Sequence, residues 1–317
     1  MSAGAAETVL VTGAAGFLGR ATVELLRRQG RPVVAVDVVA RGELPRLTAC
    51  DLTDYEAVHG LFERERPSAV LHYAAYAFED AGLLASAERN AAKAVDVNLN
   101  GLRHVLRACQ EAGVRRLAWS SSTTVYGPPQ LYGAQELLDE DACLAPFTLY
   151  GATKMLGERI SRDAFEGGQV RAVGLRLPLI YGPGRWYGGA QKELMAFIGE
   201  VLAGTRGSYS FSDAPTDWMY VDDAVEAMLA VVDAAEVSLP IYNIVGHVDS
   251  PYAIAREVVD QAGDCCTVER SLAGPPSILV DGRRFAEEFG IRAKVDRREG
   301  IRRYLERLSE SRESSRE

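Results

Sequence analysis

The chain has 317 residues, 47% of them hydrophobic, enough to bury a sizeable core and about two domains' worth of protein. A formal charge of -9 and a pI near 5.2 argue against binding nucleic acid or an anionic membrane through a broad basic face. The amino end lacks a secretory pattern and no apolar run approaches ~18 residues, so no membrane span is expected. Cys50, Cys109, Cys143, Cys265 and Cys266 show no metal-type spacing and make an odd count, which suits reduced thiols in the cytoplasm. His59, His72, His104 and His247 are dispersed, so no metal site is expected.

In chain order, "TVLVT" (residues 8–12) is a short β-branched run that turns at Gly13, and "RATVELLRRQG" has helical spacing ending at Gly30. "PVVAVDVV" is the next strand. "SAVLHYAAY", "RRLAWSSSTTVYG" and "VRAVGLRLPLIYG" are further buried-looking strands, separated by helical segments such as "DYEAVHGLFERER" and "NLNGLRHVLRACQEAG". Strands alternating with helices predict an α/β fold with a doubly wound parallel Rossmann sheet over residues 1–180. After residue 181 the regularity weakens: "YGPGRWYGG" reads as a loop, residues 191–203 as a helix, and "DWMYVDDAVEAMLAVVDAA" leads into another helix. Residues 181–317 therefore read mainly as a smaller α/β substrate domain, with parts of it interleaving with the first. The polar tail "ERLSESRESSRE", residues 306–317, is expected to fray.

The turn "TGAAGFLG" places Gly13, Gly16 and Gly19 between first strand and first helix, where bare backbone and a helix amino end can hold a pyrophosphate. Its spacing is GxxGxxG, and glycines also serve tight turns. The second strand, however, ends in Asp37, where a carboxylate can accept hydrogen bonds from adenosine ribose hydroxyls and repel a 2'-phosphate. That combination favours NAD over NADP, with Arg41 nearby leaving NADP open. Asp51 and Leu52 follow the third strand, within reach of an adenine, though Asp51 equally suits a turn or N-cap.

In "LAPFTLYGATKMLGERI", Tyr150 stands one helical turn before Lys154, an arrangement that ordinary surface covering also explains. "WSSSTTVYG" puts Ser120, Ser121 and Ser122 at the carboxyl end of a central strand, the edge where open α/β sheets bind ligands. Glycine loop, strand-end serines and YxxxK occur in that order. Together with "LHYAAY", "DVNLNG", "LPLIYGPG", "WMYVDD" and "IYNIVG", they resemble the extended short-chain dehydrogenase/reductase superfamily, the NAD-dependent epimerases and dehydratases, from residue 8 to about residue 245.

That resemblance implies that Tyr150 is the catalytic acid/base, that Lys154 contacts the nicotinamide ribose and lowers the phenol's pKa, and that Ser122 hydrogen-bonds the reacting oxygen, with Ser121 as fallback. A tyrosine ordinarily titrates near ~10, and bringing it to neutral pH takes on the order of 4 kcal/mol, which a neighbouring ammonium helps to supply. Asn98 resembles the family's structural or relay asparagine. The resemblance also puts Phe17, Leu18, Ala74, Ala75, Ser120 and Pro178 against the dinucleotide and Thr123 and Leu179 near the substrate. It implies a homodimer through helices around residues 93–112 and 148–165.

Nucleotide-sugar members usually carry an asparagine where Leu179 stands and an arginine where Thr216 stands. Losing that arginine weakens recognition of a diphosphate unless Arg176, Arg185, Arg206 or Arg270 replaces it. Trp186, Tyr187 and Trp218 are candidate pocket walls, with the small domain's core as their alternative. The sequence thus predicts an NAD-dependent oxidoreductase or epimerase acting on a secondary alcohol of a sugar, sugar acid or similar small hydroxy compound. A nucleotide-sugar 4-epimerase is the alternative, and a non-catalytic dinucleotide-binding regulator is the third.

Overall fold

A computed structural model describes residues 7–38, 44–78, 81–133, 137–184, 192–263, 266–271 and 277–314. Arg41, Arg185, Trp186, Tyr187 and Cys265 lie outside them. The first half alternates as expected: β1 (Val9–Thr12), α1 (Phe17–Arg28), β2 (Val33–Asp37), β3 (Leu47–Ala49), α2 (Tyr55–Glu65) and β4 (Ala69–His72). Next come α3 (Leu83–Arg89), α4 (Ala91–Val95), a π-helical turn over Asp96–Asn100, α5 (Gly101–Ala112) and β5 (Arg116–Ser122). The site helix α6 (Leu149–Glu166) precedes β6 (Arg171–Leu177). The inner strands β1, β4 and β6 are short runs rich in apolar and β-branched residues buried on both faces, the pattern that a sheet covered by helices on either side demands, whereas β3 at the edge is partly exposed.

The stretch "VRAVGLRLPLIYG", expected as one strand, is two. Pro178 has no N–H to give to a ladder, so β6 ends at Leu177 and β7 (Leu179–Tyr181) starts a different sheet. The remaining elements are α7 (Lys192–Leu202), β8 (Ser208–Ser212), β9 (Thr216–Tyr220), α8 (Val221–Asp233), β10 (Ile241–Asn243), β11 (His247–Asp249), α9 (Pro251–Ala262), β12 (Thr267–Ser271), α10 (Arg283–Phe289) and α11 (Arg297–Ser314).

Among the described residues, seven parallel strands form the large sheet in the order β10-β6-β5-β4-β1-β2-β3. This is a doubly wound Rossmann sheet whose order reverses beside β1, where a crevice opens at the strands' carboxyl ends. The chain recrosses into it after residue 181: α8 packs on β4, β5 and α1, and β10 pairs with β6. The other strands form a β11-β9-β7 sheet and a β12-β8 pair, packed with α7, α9 and α11 around Tyr181, Phe197, Trp218 and Ile254. α11 runs through Ser314, so the tail expected to fray is helical over its described part. Arg302 pairs there with Glu299 and Glu306 on neighbouring turns.

Candidate active site

β1 delivers the chain to Gly13 with φ +65, and a Cβ there would lie 2.7 Å from the Ala74 backbone nitrogen. Only glycine allows the β1–α1 turn to tuck so closely under the segment leaving β4. Helix α1 begins at Phe17 with Gly16 as its N-cap and no side-chain cap, an arrangement that suits an anion at the first turn. Asp37, at the end of β2, accepts the Ala15 N–H at 3.0 Å and the Val38 N–H at 2.8 Å, tying the glycine loop to the second strand. Asp51 takes the Thr53 N–H at 2.9 Å and hydroxyl at 2.7 Å, which hold its carboxyl below the usual carboxylate range. It is both the expected turn residue and part of a cavity wall.

At the other end, Thr148 caps α6 by accepting the Gly151 N–H at 3.1 Å. A Cβ on Gly151 would lie 2.3 Å from the Thr124 carbonyl oxygen, so glycine lets α6 start hard against the turn that follows β5. That contact brings Tyr150 beside the strand-end serines. The Lys154 ammonium donates to the Ser120 carbonyl at 2.7 Å and sits 5.4 Å from the Tyr150 ring centroid. Burial lowers Lys154 to about 8. Ser122 ends β5 with its Oγ accepting from the Thr124 N–H at 3.2 Å and hydroxyl at 3.0 Å.

A cavity of about 1070 Å³ joins these ends, at the upper edge of what a ligand pocket spans. Its wall takes in Gly13, Gly16, Phe17, Leu18, Gly19, Asp37, Asp51, Leu52, Ala74 and Ala75, then Ser120, Ser121, Ser122, Thr123, Tyr150, Pro178 and Leu179. Sequence reasoning missed Lys93, Phe147, Asp217 and Ser277, which also line it. The last two come from β9 and from the segment before α10, and no local motif marks them. Asp217 accepts the Gly246 N–H at 2.9 Å, and burial raises its carboxyl to about 7. Thr216 and Ser277 hydroxyls pair at 3.0 Å beside it. Lys93 is the one cation among the described residues lining the cavity.

Several expected residues stand elsewhere. Trp218 is 0% exposed, its indole N–H donating to the Asp249 carbonyl at 2.9 Å, because it packs edge-on against Tyr181, ring centroids 6.0 Å apart, in the core shared with Phe197 and Ile254. Asn98 lies behind the wall, where its amide donates to Thr153 Oγ1 at 3.1 Å and its carbonyl accepts the Tyr76 N–H at 2.7 Å. It ties α6 to the segment after β4. Lys154 also lies behind the cavity surface, held by Ser120. Ser121 contributes to the wall, but its hydroxyl donates to Glu158 Oε1 at 2.6 Å. Arg176 cannot replace a phosphate-binding arginine, since it forks onto Glu158 at 2.9 and 2.7 Å. Arg270 pairs with Asp213 at 3.3 Å and Arg206 is exposed, and neither lines the cavity.

The profile of the family described as "NAD dependent epimerase/dehydratase family" matches residues 9–245. UDP-glucuronate 4-epimerase 4 from Arabidopsis thaliana is 30% identical over 251 residues, 73% of this chain and 55% of that protein. The chain thus spans about half the length of the plant relative. UDP-glucose 4-epimerase from Azospirillum brasilense is 27% identical over 326 residues, covering 94% of this chain and 90% of the relative. Among solved structures, a UDP-glucose 4-epimerase from Thermus thermophilus in complex with NAD superposes with a TM-score of 0.78 at 27% identity, covering 95% of this chain and 99% of that one.

Proposed function

The chain belongs to the NAD dependent epimerase/dehydratase family, and on that premise we propose that it is an NAD-dependent enzyme acting on a secondary alcohol of a sugar, sugar acid or similar polyhydroxy compound. One observation carries the reading: a single cavity connects the uncapped helix start and Asp37 at one end to Ser122 and Tyr150 at the other. The close Gly13 turn and the uncapped first turn of α1 fit a pyrophosphate, and Asp37 fits an unphosphorylated ribose.

NAD, when bound, supplies the hydride acceptor. The chain's own residues handle the proton: Tyr150 Oη takes it from the substrate hydroxyl, and Ser122 Oγ donates a hydrogen bond to the same oxygen. The Lys154 ammonium, fixed by the Ser120 carbonyl, favours the phenolate form of Tyr150. In reverse, Tyr150 returns the proton to the nascent alkoxide.

A nucleotide-sugar 4-epimerase is the second reading, supported by the Azospirillum relative that spans almost the whole chain. Leu179 and Thr216 in the cavity wall weigh against it, because neither offers a diphosphate a charge. The homodimer and the cytoplasmic setting complete the proposal. The first rests on the family resemblance of the helices around residues 93–112 and 148–165, and the free thiols of Cys50, Cys109 and Cys143 support the second.

Calorimetric titration with NAD and NADP, followed by turnover assays with free sugars, sugar acids, UDP-glucose and UDP-glucuronate, tests the reading. NAD binding with reduced nicotinamide released from an unactivated alcohol is the expected result. Isomerisation of a nucleotide sugar without net reduction selects the second reading, and failure to bind either dinucleotide overturns both.

A further inference from the structure

Tyr150, Lys154 and Glu158 recur at one-turn intervals on the buried face of α6, and the mechanism uses only the first two. The third faces the serine run. Ser120 gives its carbonyl to Lys154 at 2.7 Å, Ser121 gives its hydroxyl to Glu158 at 2.6 Å, and Ser122 is left to the cavity. Arg176 stands opposite Ser121 in the β5–β6 register and closes the group, forking onto both Glu158 oxygens at 2.9 and 2.7 Å. Its remaining arm donates to the Tyr126 hydroxyl at 2.6 Å, which lies 2.9 Å from both Asn243 Oδ1 on β10 and the Asp139 carbonyl. The Glu158 and Arg176 side chains are 4% and 1% exposed.

We propose that the Glu158–Arg176–Ser121 clamp is a positioning device for the proton-transfer site: it fixes the register of α6 against β5, and with it the placement of Lys154 and Tyr150 relative to Ser122. The clamp touches no reacting atom. It joins the helix that carries the phenol and ammonium to the strand that carries the serine, through side chains, at the rung next to Lys154. A buried ion pair is a poor source of net stability, since well-packed apolar residues of similar volume often replace it without loss. What it supplies that apolar packing does not is direction: two parallel N–H···O bonds and a short hydroxyl bond define one sliding and rotational setting of α6.

The inference rests on Tyr150 being the acid/base, and the test separates the two. Phenolate formation at Tyr150 is followed by ultraviolet difference titration of the whole protein, each background referenced to its own Tyr150→Phe counterpart, with NADH binding and melting temperature measured alongside. The variants are Glu158→Met/Arg176→Met, which removes both charges together, and Ser121→Ala, which removes one hydrogen bond and leaves the pair intact. The double variant should melt close to the parent and bind NADH within about threefold, yet its Tyr150 titration midpoint should rise by about one pH unit as Lys154 loses its fixed place. Ser121→Ala should move the midpoint the same way by less. Unchanged midpoints in folded variants overturn the positioning role, and if the double variant does not fold, Ser121→Ala alone decides. If Tyr150→Phe removes no phenolate signal from the parent, the acid/base assignment falls, and the clamp's role with it.

Discussion

At the glycine-loop end of the cavity, the wall is built on backbone: a strand-to-helix turn, an uncapped helix start and a strand-end carboxylate that itself holds two main-chain N–H groups. At the proposed substrate end the wall is made of side chains gathered from distant segments: Leu179 on β7, Thr216 and Asp217 on β9, Ser277 ahead of α10 and Phe147 ahead of α6. Backbone recognition follows from the order of strands and turns and survives sequence change at most positions. Side-chain recognition depends on which residues the small sheets deliver, so this half can change its substrate while the other keeps its cofactor. Tyr150 and Ser122 sit where the two halves meet.

The largest effect expected is at that junction. Tyr150→Phe should reduce turnover about a thousandfold while NAD affinity, measured by calorimetry, stays within about threefold. A variant that loses dinucleotide binding to the same degree would show that the halves are not separable at this residue. Next in size is a residue that the sequence offers to either a pocket wall or a core and that the structure buries in the core. Trp218→Ala should lower stability by about 3–5 kcal/mol in denaturant unfolding, without altering NAD affinity. A small loss of stability combined with a large change in substrate KM would return Trp218 to the wall.

Asp217→Asn probes the substrate end by pH. The folded carboxyl keeps its proton up to about 7, whereas the ordinary value is 3.8. Between those values the folded state binds more protons, so this group makes stability fall as pH rises from about 4 to about 7. The asparagine has no charge to form and retains an oxygen for the Gly246 N–H. Relative to the parent it should gain about 2 kcal/mol at pH 8 over pH 4, roughly half of what the full displacement allows, because the cavity admits water. Parallel stability curves for the two proteins would mean that Asp217 ionises normally.

The same division explains what the sequence discloses. The strands of the large sheet other than the three-residue β10, the turn at Gly13, Asp37 and the Tyr150–Lys154 pair are legible because each follows from local periodicity or from a strand end, and parallel α/β packing leaves few ways to arrange them. Ser122 is legible from its place in the serine run. The small sheets are not, since strands as short as Leu179–Tyr181 and His247–Asp249 carry too few residues to show a period, and their partners lie tens of residues away. Pro178 is the local sign that "VRAVGLRLPLIYG" breaks into two sheets. The clamp left a sign as well: an arginine inside the apolar run of β6 demands a buried acid, and Glu158 stands one turn beyond Lys154 on the same face.

The smallest effect sharpens the comparison most, because it tests a side chain in the half assigned to backbone. Asp37→Ala should weaken NAD about tenfold, or about 1.4 kcal/mol, and weaken NADP less, since the missing carboxylate no longer repels a 2'-phosphate. Asp37 also accepts the Ala15 N–H, so part of the loss could come from a loosened glycine loop. Asp37→Asn separates the two causes: its amide oxygen can keep one of those main-chain bonds while the charge is gone. If Asn behaves like the parent toward NAD and gains affinity for NADP, the carboxylate acts by charge on the ribose. If Asn and Ala lose NAD equally with no gain for NADP, Asp37 serves the loop, and the dinucleotide end is backbone throughout.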